Sequence, residues 1–308
     1  MSRSGDKAKQ HGRGGFQFFT PAMRDEISQR VCIEKGLREA LVRDEFSLYY
    51  QPQMDADGEV MGAEVLLRWL TSDSKFISPA VFIPVAEETG LINPIGDWVL
   101  RKSLQVRKQW LESVSEFKGH FSINVSAWQF ARPDFVESTL GAIAEIDLPA
   151  NLITLEITET AVLSDIRDTI AKMAELREAG LTIALDDFGT GYSSLAYLRD
   201  LPLDSLKIDK TFVDLLEEQT EEPLVGSMIS IGEYMGMQVV AEGVESQKQF
   251  ERLKRMGCNA FQGYLFAKPL SETEFIAWLR QPSQDAAESP ELEATQQKKL
   301  HQPNAGQN

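Results

Sequence analysis

Eight short segments of alternating character, most of them separated by stretches with helical spacing, restrict this chain to one architecture. They are FSLYYQPQM (46–54), EVMGAEVLLRW (59–69), HFSINVS (120–126), LITLEIT (152–158), LTIALDD (181–187), SLKID (205–209), QVVAEG (238–243) and NAFQG (259–263). A period of two marks strands, whereas apolar residues at i, i+3 and i+4 mark helices. The first two segments are joined by DADGEV, a short link containing Asp-Gly that suits an antiparallel hairpin. Helices are expected after Ser78-Pro79, after Pro94 and after Pro133, and over 223–235 and 246–256. Over 164–179 a further helix carries Ile166, Ile170, Met173 and Leu176 on one face and stops at Gly180. This order predicts an α/β fold, a (β/α)8 TIM-type barrel with an antiparallel first strand.

The flanks differ from the barrel. Residues 1–23 are polar and basic until a short aromatic run, and too short to fold alone. Ile27, Val31, Leu37 and Leu41 predict an amphipathic lead-in helix within 24–44, irregular near Gly36, so that the barrel unit spans 24–280. Residues 281–308 hold almost no large apolar side chain and are expected to be a disordered tail.

Composition narrows the function classes. A net charge of −16 disfavours a partner that is a nucleic-acid polymer, because such binders rely on a basic footprint. A small anion held through metal ions is compatible with it. No apolar run has the length of a membrane span and no signal-peptide core opens the chain, so a cytoplasmic location without direct membrane contact is expected, alone or as part of a larger membrane-attached sensor. Cys32 and Cys258 form no metal or redox spacing and are expected to be core thiols in a reducing compartment. Three scattered histidines argue against a histidine-rich zinc or iron site.

Residues 181–194, LTIALDDFGTGYSS, are where chemistry concentrates. A strand ends in Asp186 and Asp187 and runs into a loop with Gly189 and Gly191, which reads as a metal site with a hinged cover. Neighbouring side chains of a strand face opposite ways, so both carboxylates can serve one site only where the chain turns. By itself the stretch is equally a polar strand exit followed by a helix N-cap.

Parity within the other strands adds to it. If the apolar residues pack under the helices, the polar ones face the barrel interior and line its mouth, offering Gln51, Glu64, Arg68, Asn124, Glu156, Lys207, Glu242 and Gln262. Each alone is an ordinary strand-end residue. Together, carboxylates and an amide without thiol or imidazole form an oxygen-ligand set suited to Mg²⁺ or Mn²⁺. The doubled carboxylate allows one group to bridge two ions, as two-metal phosphoester hydrolases require. Lys207 would be a cation close to the attacking water or phosphate, and Arg68 a phosphate clamp.

At these residues the sequence resembles a family. GAEVLLRW, INVSA, LEITET, ALDDFGTGYSSL, LKIDKTFV, VVAEGVE and FQGYLFAKP, in this order over about residues 37–280, resemble the EAL-domain cyclic di-GMP phosphodiesterases of bacterial signalling. The resemblance implies metal-dependent hydrolysis of cyclic di-GMP to linear pGpG on a barrel with an antiparallel first strand, using two Mg²⁺ or Mn²⁺ ions. It makes Glu64, Asn124, Glu156 and Asp186 ligands of one ion, and Asp186 with Asp187 ligands of the second. Lys207 and Glu242 match the groups around the nucleophilic water, and Gln51, Arg68 and Gln262 match substrate contacts. Glu159 matches the glutamate that anchors the glycine-rich loop; an acid in the first turn of a helix is its plainer reading. The signature itself departs at Val65, where the family has alanine, and the added methyls are expected to point away from Glu64. The family further implies a homodimer. Residues 1–23 resemble the C-terminal end of a GGDEF domain, implying GGDEF or sensor domains upstream in a full-length parent. The alternatives are a catalytically silent cyclic di-GMP receptor and a regulatory scaffold.

Overall fold

The computed structural model describes residues 21–281 except Ser74, Ser164, 191–197 and 218–221. Strands β1 (Phe46–Asp55) and β2 (Val60–Leu70) form the expected hairpin. Its turn is tied by Asp55, whose Oδ1 accepts the backbone N–H groups of Asp57 and Glu59, a local bond that a short acidic side chain makes readily. A two-residue strand, β3 (Phe76–Ile77), pairs with the end of β2. The chain then delivers β4 (His120–Val125), β5 (Ile153–Thr158), β6 (Thr182–Phe188), β7 (Ser205–Ile208), β8 (Gln238–Ala241) and β9 (Ala260–Gln262).

Each of β4 to β9 pairs in parallel with the strand before it, starting from β2. The last, β9, returns to β1, which is antiparallel to both neighbours and closes the barrel. All eight barrel strands lie within two residues of the segments read from alternation. A final short strand, β10 (Leu270–Ser271), adds to β1.

The parity argument also holds. Phe121, Ile123 and Val125 of β4, Leu155 and Ile157 of β5, and Leu206 and Ile208 of β7 are buried in the layer between strands and helices. Their polar alternates Ser122, Thr154, Glu156, Ser205 and Lys207 are buried as well, inside the barrel. The helices that cover it are α1 (Pro21–Ala40), α2 (Pro79–Glu88), α3 (Ile92–Ser113), α4 (Ala127–Phe130), α5 (Phe135–Ile146), α6 (Glu159–Leu163) and α7 (Ile166–Glu178), followed by Lys210–Asp214, Glu222–Tyr234, Gln247–Arg255 and Glu272–Leu279. The last of these was not anticipated, although Ser271 and Glu274 form a capping box that SETE displays in the sequence. Its Phe275 stacks on Trp110 at 5.3 Å, beside Tyr50 and Phe121, and seals the outer face of β1 and β4.

Two expectations need correction. The lead-in helix is continuous through Gly36 and begins at Pro21, inside the segment assigned to the upstream remnant. A Cβ at Gly36 would lie 2.9 Å from the ring of Trp69, so the glycine allows α1 to press onto a buried indole rather than breaking the helix. Only Cys258 is a core thiol; Cys32 is exposed on α1. Residues 1–20 and 282–308, with the rest of the upstream remnant and nearly all of the tail, lie outside the described residues. Among the described residues, no helix is long and apolar enough to cross a membrane.

Candidate active site

Strand register brings the polar residues together before any side-chain contact is considered. Gln51 lies opposite Glu64 in β1 and β2, Glu64 beside Ser122 in β2 and β4, and Asn124 beside Glu156 in β4 and β5. Thr158 pairs with Asp186, and Gln53 with Gln262 across the antiparallel closure. Cross-strand partners share a face, so the set converges inside the barrel.

It converges into two linked networks. In the first, Asn124 Nδ2 donates to Glu64 Oε1 at 2.6 Å, and Gln262 Nε2 donates to Glu64 Oε2 and, at 3.0 Å, to Gln51 Oε1. Both oxygens of Glu64 are thereby oriented by amides. In the second, the Lys207 ammonium is 2.7 Å from Glu156 Oε2, 3.2 Å from Asp186 Oδ1 and 2.6 Å from Glu242 Oε1. The side chains of Lys207 and Glu156 are each 1% exposed. Burial works against the ammonium, but Asp186, Glu156 and Glu242 outweigh it and hold its pKa well above the ordinary lysine value.

Asp186 and Asp187 are placed by a different device from the one expected. The strand does not end at them but continues to Phe188, and its pairing with β7 steps from Leu185↔Leu206 to Phe188↔Ile208. Three residues of β6 therefore oppose two of β7, a bulge that returns Phe188 to the core. Asp187 takes the strain, with φ of 56°, and its N–H donates to Asp186 Oδ1 at 3.0 Å. Its carboxyl is pushed up by burial and by the charges of Asp186 and Asp209. Gly189 follows at φ 95°, a turn that favours glycine. The remainder of the expected cover, Gly191 to Ser194, lies outside the described residues.

Electrostatics test whether a divalent metal fits here. Glu156, Asp186 and Glu242 contact the ammonium of Lys207, and Glu64 and Asp187 lie near enough to interact with it electrostatically. Burial raises Glu156 well above the carboxylate range, with Glu64, Asp186 and Glu242 adding to it, and pushes Glu242 up to about 8. Glu156 Oε1 is buried without a hydrogen-bond partner among the described residues. An excess of hard oxygen donors, one of them unsatisfied, fits a hard divalent cation. Among the described residues, no group of three or more acidic, histidine or cysteine side chains has its donor atoms placed to hold a metal ion as they stand, and three of the carboxylates are turned to Lys207 instead.

Other residues stand apart from these networks. Arg68 is half-buried over the Tyr49 ring at 5.4 Å and donates to the Leu67 carbonyl; burial lowers its pKa, while Tyr49 and Glu64 oppose that shift. Glu159 opens α6, buried, with neither carboxylate oxygen partnered among the described residues. Sequence reasoning missed Asp209, which caps the helix Lys210–Asp214 through Thr211 and whose negative charge helps push the Asp187 carboxyl up. It also missed Gln53, although its parity with Gln51 was available.

A family model, described as the EAL domain, matches residues 34–269. The chain is 37% identical over 272 residues to the bifunctional diguanylate cyclase/cyclic di-GMP phosphodiesterase MucR of Pseudomonas aeruginosa, covering 88% of this chain and 40% of that protein. It is also 37% identical over 283 residues to the cyclic di-GMP phosphodiesterase NbdA of the same organism, covering 91% of this chain and 36% of the relative. The solved PaMucR phosphodiesterase in complex with c-di-GMP superposes with a TM-score of 0.76 at 36% identity, covering 79% of this chain and 99% of that one. The EAL domain of Mycobacterium smegmatis DcpA gives 0.64 at 36% identity, covering 76% and 95%. The match thus spans well under half the length of those two curated relatives, and nearly all of the two isolated domains. The chain belongs to the EAL-domain family.

Proposed function

We propose that this chain is a cyclic-guanylate-specific phosphodiesterase that hydrolyses cyclic di-GMP to linear 5′-pGpG with the help of divalent metal ions. The observation that carries the reading is the cluster of Glu156, Asp186 and Glu242 on one lysine inside the barrel, with Glu156 Oε1 unpartnered among the described residues. Family membership implies a divalent metal. The finer reading is two ions, Mg²⁺ or Mn²⁺, with Glu64, Asn124, Glu156 and Asp186 holding one and Asp186 with Asp187 holding the other. Such ions supply Lewis-acid polarisation of the scissile phosphate and make water acidic enough to attack at neutral pH.

The protein's own groups do the rest. Asn124 and Gln262 fix both oxygens of Glu64, so that carboxylate reaches its ligand without reorganising. Lys207 keeps its proton and ties Glu156, Asp186 and Glu242 into one frame, placing a positive charge beside the phosphate. Glu242, held in its ionised form by Lys207, takes the proton of the attacking water at a carboxylate oxygen. Water oxygen bonds to phosphorus, the 3′ oxygen leaves, and a proton follows it. Arg68 clamps a phosphate, and Gln51 and Gln262 contact the dinucleotide. Glu159 anchors the loop that covers the site.

A homodimer, upstream GGDEF or sensor domains and a cytoplasmic setting complete the proposal, on family resemblance. Purified chain mixed with cyclic di-GMP and Mg²⁺ separates the possibilities: linear product supports the enzyme, binding without product a receptor, and neither a scaffold.

A further inference from the structure

The hydrogen bonds of the barrel interior run in one direction and end on a proposed metal ligand. Ser122 Oγ donates to Gln53 Oε1 at 3.3 Å, Gln53 Nε2 donates to Gln262 Oε1 at 3.0 Å, and Gln262 Nε2 donates to Gln51 and Glu64. A carboxamide has one donor end and one acceptor end. Glu64 accepts only, so Gln262 must aim its nitrogen at Glu64 and its oxygen away. That oxygen lands against Gln53, buried and directly opposite it in register.

The surroundings hold Gln53 in place. A Cβ at position 62 would fall 2.9 Å from Gln53 Oε1, so Gly62 leaves the room this amide occupies. Next to it lies a cavity of only about 10 Å³, which Gln53 lines together with His120, Ser122, Glu156 and Lys207. That volume suits a single water and gives the side chain nowhere to swing. Antiparallel β1 thus presents two glutamines to one partner: Gln51 receives the Gln262 amide and Gln53 locks its orientation.

We infer that Gln53 is a positioning residue, acting through Gln262 to hold Glu64 in the orientation that binds metal. The inference rests on the metal-dependent phosphodiesterase reading. Without Gln53 the Gln262 oxygen is a buried acceptor with no donor, and the amide that steers Glu64 loses its anchor. Groups bonded directly to a metal ligand, as Gln262 is to Glu64, alter metal affinity by about 10–100-fold when removed, and Gln53 acts one bond further out.

The test is a Mn²⁺ titration of the full chain followed by electron paramagnetic resonance, with turnover of cyclic di-GMP measured on the same samples. Gln53→Met keeps the volume and removes the hydrogen bonds. It should weaken Mn²⁺ binding by about 10-fold, the low end for a direct partner of the ligand, with turnover recovering as Mn²⁺ is raised. Ser122→Ala, which removes only the bond to Gln53 Oε1, should give a smaller loss in the same direction, and serves if the first variant does not fold. Wild-type affinity in the folded variants would overturn the inference. Wild-type protein that binds Mn²⁺ but leaves cyclic di-GMP intact would overturn the phosphodiesterase reading alone, since the titration still scores Gln53. Wild-type protein that takes up no Mn²⁺ would overturn both.

Discussion

The Lys207 ammonium lies 2.7 Å from Glu156 Oε2, while Oε1 of the same carboxylate is buried with no partner among the described residues. One cation thus half-satisfies this carboxylate while also serving Asp186 and Glu242. Carboxylates outnumber the positive charge that holds them.

Removing the cation should be severe. Lys207→Met leaves Glu156, Asp186 and Glu242 without their counter-charge, and breaking a buried ion pair from one side costs about 3–5 kcal/mol. Urea unfolding in EDTA should show that loss, and turnover should disappear. Unchanged stability would mean that the three carboxylates are not held by Lys207.

Removing a ligand should separate stability from function. Asp186→Ala and Asp187→Ala should each leave a folded protein whose turnover falls by at least about 100-fold. Asp187→Ala also places a non-glycine residue at φ 56°, so it should lower the melting temperature more than Asp187→Gly does. Circular dichroism and product analysis on the same preparations check both parts.

Stability should depend on pH in a direction set by Glu242. Burial pushes its carboxyl up to about 8 from an ordinary 4.5, with Asp186 and Glu64 adding and Lys207 opposing. The native state therefore binds that proton more tightly than the unfolded chain, and stability falls as pH climbs from about 4.5 to about 8. His120, pushed down to about 4 by burial, acts the other way, adding stability as pH rises from about 4 to 6.5. Above pH 6.5 the His120 effect is complete, and Glu156 and Asp187, whose carboxyls are also raised, act in the same direction as Glu242. Between pH 6.5 and 8 the melting temperature in EDTA should therefore drop, and Glu242→Gln should reduce the slope.

Glu159 should behave unlike the others. Its buried carboxylate has no partner among the described residues, so Glu159→Ala should not destabilise the fold, whereas turnover and metal affinity should fall if the residue anchors the loop after β6. Full activity with unchanged metal affinity would remove the anchoring role.

The barrel was legible in the sequence because alternation is a local signal: Phe121, Ile123 and Val125 report their side of β4 without reference to any other strand. The site was legible for the same reason, since Asn124, Glu156 and Lys207 occupy the opposite parity. Two features depend on what the chain meets in space. The β6 bulge exists because Phe188 must regain the core opposite Ile208, and no pattern within residues 181–188 announces an extra residue. Gly36 looked like a helix breaker because its purpose, room for Trp69, is supplied by a residue 33 positions away. Gln53 was readable by parity but unremarkable until register set it opposite Gln262.

The central claim is that metal ions complete this carboxylate cluster for phosphodiester hydrolysis. Its most direct measurement is the rate at which purified chain converts cyclic di-GMP to pGpG in Mg²⁺ or Mn²⁺, before and after excess EDTA. The account predicts linear product with metal, none after chelation, and recovery when metal is restored. Undiminished turnover in EDTA, or intact cyclic di-GMP throughout, would contradict it.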